Sequence, residues 1–233
     1  YCTEEVANHA LALLLASARR LPALDSHVKG GGWTRRGEVP RPLYGETLGI
    51  IGFGRIGRAL ARRALALDLR LLAHDPYVDK DVMAAHGASK TDLDSLLRES
   101  DYVSLNASLT PETRGIVGRR ELALMKESAF LINTARGPEV DETALVEALR
   151  ERRIAGAALD VFEEEPLPPD RPLRALDNVI LTPHMAFFSR QSTARARREV
   201  GRAAAAVLNG RWPKWVANPE VAEKVTLLPN DEQ

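Results

Sequence analysis

The sequence has one cysteine, no excess of either charge and no long hydrophobic run. A single cysteine, Cys2, excludes a disulfide framework and a thiolate metal cage, and no metal site is predicted. Lysine and arginine (32) balance aspartate and glutamate (32), which argues against a dedicated nucleic-acid binder. The longest apolar run, residues 10–16, is too short to cross a bilayer, and no signal-peptide pattern opens the chain. These absences predict a soluble cytoplasmic protein without a membrane partner.

The remaining composition is that of a globular protein. The 233 residues are 45% hydrophobic and 27% charged, which suits one large domain. Apolar runs predict strands at residues 47–51, 69–73, 102–105, 129–132, 155–159 and 179–181. Helical patterns occur at residues 3–20, 55–67, 92–98, 121–126, 141–150 and 189–208. This alternation predicts an α/β fold, a Rossmann-type doubly wound parallel sheet covered on both faces. Residues 21–45, rich in glycine and proline, are predicted to form an irregular arm.

A glycine-rich turn follows the first predicted strand. Gly52, Gly54 and Gly57 form a G-x-G-x-x-G pattern that encloses Arg55 and Ile56 and opens a helix. Asp75 lies 18 residues after Gly57, at the end of the next predicted strand. This arrangement is typical of a dinucleotide site, in which helix N-terminal amides bind the pyrophosphate. The Asp75 carboxylate would accept from a ribose 2′-hydroxyl and repel a 2′-phosphate, so NAD is favoured over NADP. Three glycines would also suit an ordinary strand–helix turn.

Three polar residues follow later strands, at the sheet edge where open α/β folds bind ligands. They are Arg136, Glu165 and His184. Each has an ordinary alternative: a solvated arginine, an acidic turn before Pro166, or a loop histidine. Together they suit hydride transfer, because a histidine moves the hydroxyl proton and an arginine binds a carboxylate bidentately. A carboxylate beside a histidine stabilises its imidazolium form.

Several segments resemble D-isomer-specific 2-hydroxyacid dehydrogenases, a family of phosphoglycerate, glyoxylate and D-lactate dehydrogenases and C-terminal-binding-protein corepressors. The matching segments are LGIIGFGRIGR (48–58), DPY (75–77), LNASLTPETRGIV (105–117), NTARGP (133–138), AALDVFEEEPLP (157–168) and VILTPHMAFFS (179–189). They occur in the family's order and span nearly the whole chain.

The resemblance implies roles for individual residues. Arg136 would orient the substrate's carboxylate and carbonyl, His184 would be the acid/base, and Glu165 would pair with His184. Asp160 would hold the nicotinamide carboxamide. Further cofactor contacts would come from Ala107, Thr113, Thr134, Ala135, Arg136 and His184. Pro138 and Glu139 depart from the family, since small and apolar residues are commoner there.

The resemblance also implies a domain organisation. Family members begin with a substrate-binding lobe, and the resemblance implies that this sequence starts at the helix that follows that lobe. Residues 1–209 are therefore predicted to be the dinucleotide-binding domain, and residues 210–233 a tail that would return to the lobe. The arm at 21–45 resembles the family's dimerisation region, so a homodimer is expected.

Two functions remain open at this point. One is an NAD-dependent oxidoreductase acting on a D-2-hydroxy acid or 2-oxo acid, of which this chain alone would bind NAD with little turnover. The other is an NAD-responsive scaffold like the corepressors. The Phe187–Phe188 pair keeps the second function open, because it resembles the aromatic pair of the corepressor branch.

Overall fold

The computed structural model describes residues 1–34 and 39–229. By its internal contacts the chain divides into two compact units. One unit comprises residues 3–187, and the other comprises residues 1–2 together with the chain from Phe188 onward. The sequence predicts a domain boundary after residue 209. The contacts instead divide the chain before the last long helix.

The larger unit is an α/β structure. Its strands are β1 (Thr47–Ile51), β2 (Arg70–His74), β3 (Ala88–Lys90), β4 (Tyr102–Leu105), β5 (Phe130–Asn133), β6 (Gly156–Leu159) and β7 (Val179–Leu181). Its helices are α1 (Thr3–Ala18), α2 (Leu21–Lys29), α3 (Arg55–Leu65), α4 (Lys80–Ala84), α5 (Leu93–Glu99), α6 (Arg119–Leu124) and α7 (Glu142–Arg150). Two 3-10 helices, Gly137–Glu139 and Pro172–Ala175, complete it.

The strands form one parallel sheet in the order β3-β2-β1-β4-β5-β6-β7. Successive side chains of a strand point to opposite faces, so Ile50 and Ile51 belong to separate apolar clusters. Ile50 packs with Leu14 of α1 and Leu60 of α3, and Ile51 lies in the other cluster. The predicted doubly wound parallel sheet is confirmed. Its strand order reverses between β1 and β4, which places a crevice at their carboxyl ends.

The predicted irregular arm is partly wrong. Residues Leu21–Lys29 form helix α2, which begins after Arg20 adopts a left-handed conformation with φ of 54°. Pro22 lies in the first turn of α2, where a missing backbone N–H costs nothing. Pro22 therefore belongs to the start of a second helix, whereas the sequence pattern predicted only that it ended the first. Residues 35–38 of the arm lie outside the described residues.

Short elements were also missed. Helix α4 and strand β3 contain 5 and 3 residues, too few to show a period. Strand β3 forms because its backbone pairs with β2, a partner that local sequence does not reveal.

The smaller unit contains α8 (Arg190–Leu208) and a 3-10 helix at Pro219–Glu223. The Ser189 side chain caps α8 by accepting from the Ser192 amide. An isolated bridge joins Arg211 to Leu228. Residues 230–233 of the predicted tail lie outside the described residues. Within the described part of the chain, no helix is both long and apolar enough to cross a membrane.

Candidate functional site

The glycine-rich turn makes close backbone contacts at the end of β1. Gly52 has a φ of +86°, and a Cβ atom there would lie 2.5 Å from the Ala107 backbone nitrogen. A Cβ on Gly57 would lie 2.3 Å from the Gly52 carbonyl oxygen, so α3 approaches the turn closely. Gly54 precedes α3 without a side chain to cap it, and the position of its missing Cβ is open. Backbone amides of the first turn, at Arg55 and Ile56, are therefore accessible to an anion.

A cleft of about 440 Å³ lies beside this turn. It is lined by Ile51, Gly52, Gly54, His74, Asp75, Pro76, Tyr77, Asn106, Ala107, Ser108, Thr110, Glu112, Thr113 and Ile116. Of the predicted cofactor residues, Gly52, Gly54, Asp75, Ala107 and Thr113 are among the lining residues. The missing Cβ of Gly54 leaves room for a pyrophosphate, so the cleft fits a dinucleotide.

Asp75 is held in the cleft by backbone hydrogen bonds. Its carboxylate accepts from the Phe53 amide at 2.8 Å and from the Tyr77 amide at 2.9 Å, one bond to each oxygen. Each carboxylate oxygen keeps a further lone pair. The side chain is thus oriented while still able to accept hydrogen bonds from a ribose.

The loop after β5 positions Arg136. The Asn133 side chain accepts from the Ala135 amide at 3.0 Å and donates to the Arg136 carbonyl at 2.9 Å. This clamp shapes the Thr134–Ala135–Arg136 turn, in which Thr134 and Ala135 are buried and Arg136 is exposed. Sequence reasoning missed Asn133. A polar residue ending an apolar strand was the available signal.

The Arg136 loop also abuts the loop that carries Glu165. A Cβ on Gly137 would lie 1.9 Å from the backbone carbonyl carbon of Phe162, so only glycine allows this approach. The Phe162 amide in turn donates to Glu165 Oε1 at 2.9 Å. The two loops that carry predicted catalytic residues are therefore in direct backbone contact.

His184 and Glu165 form a hydrogen-bonded pair. His184 Nδ1 lies 2.6 Å from Glu165 Oε2, with the two side chains 40% and 34% exposed. The ring of Phe187 lies edge-on to the His184 ring, with centroids 6.1 Å apart. Glu164 instead pairs with Arg171 at 2.7 Å, so the glutamate before the proline is the one that meets His184.

His184 occupies an unusual backbone conformation, with φ of 53°. Residues other than glycine keep such a conformation where the surrounding structure holds it. Here the His184 amide donates to the Asp160 carbonyl oxygen at 2.8 Å.

Asp160 is fully buried and organises the His184 loop. Its carboxylate accepts from Thr182 Oγ1 at 2.5 Å, from the Met185 amide at 2.9 Å and from the Ala186 amide at 2.8 Å. With no exposed surface, the carboxylate serves the loop in this structure, and its predicted contact with a nicotinamide carboxamide stays a prediction.

A second cavity, of about 630 Å³, adjoins the histidine–glutamate pair. It is lined by Phe162, Glu165, Pro166, Leu167, Arg174, Leu181, Thr182, Pro183 and His184. Arg136 is not among these lining residues, although its loop contacts Phe162, which is.

Glu139 follows Arg136 by one turn of 3-10 helix and is fully buried. Neither of its carboxyl oxygens has a hydrogen-bond partner in the structure. Burial raises the pKa of Glu139 to about 8, and the charge of Arg136 opposes this rise. At neutral pH this carboxyl group is therefore mostly uncharged.

Comparison with known proteins matches both the fold and the motifs. Residues 11–186 match the family described as D-isomer specific 2-hydroxyacid dehydrogenase, NAD binding domain. A D-3-phosphoglycerate dehydrogenase of Methanocaldococcus jannaschii is 43% identical over 98% of this chain and 42% of its own length. A glyoxylate reductase of Korarchaeum cryptofilum is 44% identical over 95% of this chain and 68% of its own length.

A solved structure is similar as well. The chain superimposes on a D-lactate dehydrogenase of Aquifex aeolicus, complexed with NAD and lactic acid, with a TM-score of 0.83 and 36% identity. The superposition covers 89% of this chain and 67% of that protein. The chain thus spans from about two fifths to two thirds of the lengths of these relatives.

Proposed function

Because the chain belongs to the D-isomer-specific 2-hydroxyacid dehydrogenase family, whose NAD-binding domain it matches, we propose that the protein is an NAD-dependent oxidoreductase. Its reaction interconverts a D-2-hydroxy acid and the corresponding 2-oxo acid. The observation that carries this proposal is the 2.6 Å contact between His184 Nδ1 and Glu165 Oε2 at the carboxyl edge of the sheet. A histidine oriented by a carboxylate is suited to acid–base work on a substrate hydroxyl.

Each residue has a distinct task in this proposal. When bound, the nicotinamide supplies or accepts the hydride. His184 donates a proton to the carbonyl oxygen during reduction of the 2-oxo acid and accepts it during oxidation of the hydroxy acid. Glu165 orients the His184 ring and stabilises its protonated form. Arg136 binds the substrate carboxylate through its planar guanidinium and polarises the neighbouring carbonyl.

The contacts of Asp75 support a preference for NAD over NADP. Its carboxylate lines the cleft and is oriented by two backbone amides, so its negative charge would repel a 2′-phosphate. In Asp75→Ala, the ratio of the dissociation constants for NADPH and NADH is expected to fall by about tenfold. This change corresponds to about 1.4 kcal/mol of binding free energy. Fluorescence titration with both nucleotides measures the ratio of dissociation constants. Asp75→Asn removes the charge but keeps an acceptor for one of the two amides, so it disturbs the turn less than Asp75→Ala does. An unchanged ratio in both variants would remove Asp75 from the proposed cofactor site.

The assignment of His184 is tested in the natural full-length protein. His184→Ala should reduce turnover of 2-oxo acids by at least about 100-fold, because it removes the general acid. NAD affinity should stay within about twofold, since binding relies on the glycine turn and Asp75. Arg150→Ala, at an exposed position of α7, is the control and should keep full activity. NADH oxidation with a panel of 2-oxo acids provides the rate, and a variant as active as the parent would overturn the assignment.

The alternative function has its own outcome in the same assay. A parent protein that binds NAD but turns over none of the 2-oxo acids would favour an NAD-responsive scaffold. For the 233-residue chain alone we expect NAD binding with little turnover. A cytoplasmic location and a homodimer formed through residues 21–45 stay predictions.

A further inference from the structure

Helix α1 contributes a histidine to the loop that carries His184. His9 Nε2 lies 3.0 Å from Thr182 Oγ1 and 3.5 Å from Asp160 Oδ1. Its side chain is 25% exposed, whereas the Asp160 side chain is 1% exposed. His9 is far from these residues in sequence, and none of the motifs around the predicted site includes it.

The hydrogen bonds of Thr182 determine which atom of His9 carries a proton. The Thr182 hydroxyl has one proton, and it donates that proton to Asp160 Oδ1 at 2.5 Å. The contact between Thr182 and His9 must therefore be donated by His9, so His9 Nε2 is protonated. The result is a directed chain of donors from His9 to Thr182 to Asp160.

Asp160 needs these donors because a buried carboxylate is stable only when its oxygens are hydrogen-bonded. The donors recorded for its carboxylate are the Thr182 hydroxyl and the amides of Met185 and Ala186. His9 polarises the Thr182 hydroxyl and places a basic side chain next to Asp160 Oδ1. Loss of His9 would leave Thr182 Oγ1 without its donor and weaken the hold of Asp160 on the loop.

Asp160 fixes the backbone at His184 and directly after it. Met185 and Ala186 donate to the Asp160 side chain, and the His184 amide donates to the Asp160 carbonyl. These bonds maintain the left-handed conformation of His184. That conformation directs Nδ1 of His184 at Glu165.

From this chain of contacts we infer that His9 is a positioning residue for His184, acting through Thr182 and Asp160. The predicted effect of His9 on turnover rests on the proposed function, in which His184 is the acid/base. Its structural part, the ordering of the His184 loop by His9, holds independently of any reaction.

Amide hydrogen exchange in the 233-residue chain tests the structural part. In His9→Ala the amides of Met185 and Ala186 should exchange at least about tenfold faster than in the parent, because their acceptor loosens. Amides of β1, which is remote from the loop in sequence and buried, should exchange unchanged. His9→Gln keeps a side-chain donor and should restore part of the protection, and the exposed control Arg150→Ala should match the unsubstituted chain. Exchange of Met185 and Ala186 within twofold of the parent in His9→Ala would overturn the inference.

Kinetics of the natural full-length protein test the functional part. His9→Ala should lower kcat by about tenfold or more, since a small displacement of the acid reduces the rate, while the KM for NAD stays unchanged. A faster-exchanging loop with an unchanged kcat would overturn the positioning role. If instead the unsubstituted full-length protein reduces no 2-oxo acid, the proposed function fails. The exchange data alone then decide whether His9 orders the loop.

Discussion

At the scale of single residues, the carboxyl group of Glu139 lies in an environment that opposes its ionisation. The side chain is 0% exposed and both oxygens lack a hydrogen-bond partner. Burial raises its pKa from 4.5 to about 8, while the nearby Arg136 lowers it. A buried carboxyl without partners destabilises the folded state relative to an apolar side chain of similar size.

This pKa predicts how stability depends on pH. The folded pKa of about 8 is above the unfolded value of 4.5, so between these values only the folded state retains the proton. The contribution of Glu139 is thus fully present below pH 4.5 and is lost as pH rises towards 8. One pKa unit corresponds to about 1.4 kcal/mol, so the whole change amounts to a few kcal/mol.

Glu139→Leu should therefore be more stable than the parent at pH 8, and its advantage should shrink towards pH 5. Urea unfolding at several pH values measures the difference in free energy. Glu139→Gln has nearly the same shape and no charge, so it should lose the same pH dependence. Parallel stability profiles of the parent and Glu139→Gln would show that Glu139 does not titrate in this range.

At the scale of elements, two glycines in the turn between β1 and α3, Gly54 and Gly57, have different surroundings. A Cβ on Gly57 would approach the Gly52 carbonyl oxygen to 2.3 Å, and a backbone atom there cannot simply move aside. A Cβ on Gly54 would meet nothing within 4 Å, because it would stand in the proposed cofactor cleft. Gly57 thus serves packing, and Gly54 serves binding.

Two alanine substitutions separate these tasks. Gly57→Ala should lower the free energy of unfolding by about 1–3 kcal/mol, the usual cost of overpacking, and should also weaken NAD binding. Gly54→Ala should leave stability within about 0.5 kcal/mol, as expected for an open position, yet weaken NAD binding at least about tenfold. Denaturant unfolding and NAD titration on both variants provide the comparison. Equal NAD affinity of Gly54→Ala and the parent would contradict the assignment of the cleft.

The elements differ in how well the sequence predicted them. The β1, β4 and β7 strands agree with the predicted ranges, because their apolar runs are continuous and both faces of the sheet are covered. Helix α2 was missed because Pro22 was interpreted only as a helix end. The short β3 and α4 depend on tertiary pairing, which no local pattern contains.

At the scale of the whole molecule, ligand binding should couple to unfolding. A ligand that binds only the folded state at 100 times its dissociation constant adds about 2.7 kcal/mol to the free energy of unfolding. NAD should therefore raise the Tm of the 233-residue chain, although turnover is expected to be small. Thermal unfolding with NAD, NADP and neither nucleotide measures the effect. A Tm independent of NAD, in a chain shown by circular dichroism to be folded, would contradict the proposed nucleotide site.

The sequence alone determined the fold class, the glycine turn and the three residues that follow strand ends. These features could be predicted because they depend on local patterns, namely continuous apolar runs, glycines at fixed spacing and polar residues after strand ends. The family resemblance assigned Glu165, rather than Glu163 or Glu164, to His184, and the structure brings these two side chains within 2.6 Å.

Only the tertiary structure decided how the His184 loop is held. His9 on α1, Thr182 after β7 and Asp160 after β6 are distant in sequence and meet because the helix packs on the sheet. The same holds for Glu139, whose pKa depends on burial. Contacts and burial arise from chain packing in three dimensions, so no local pattern in the sequence could predict them.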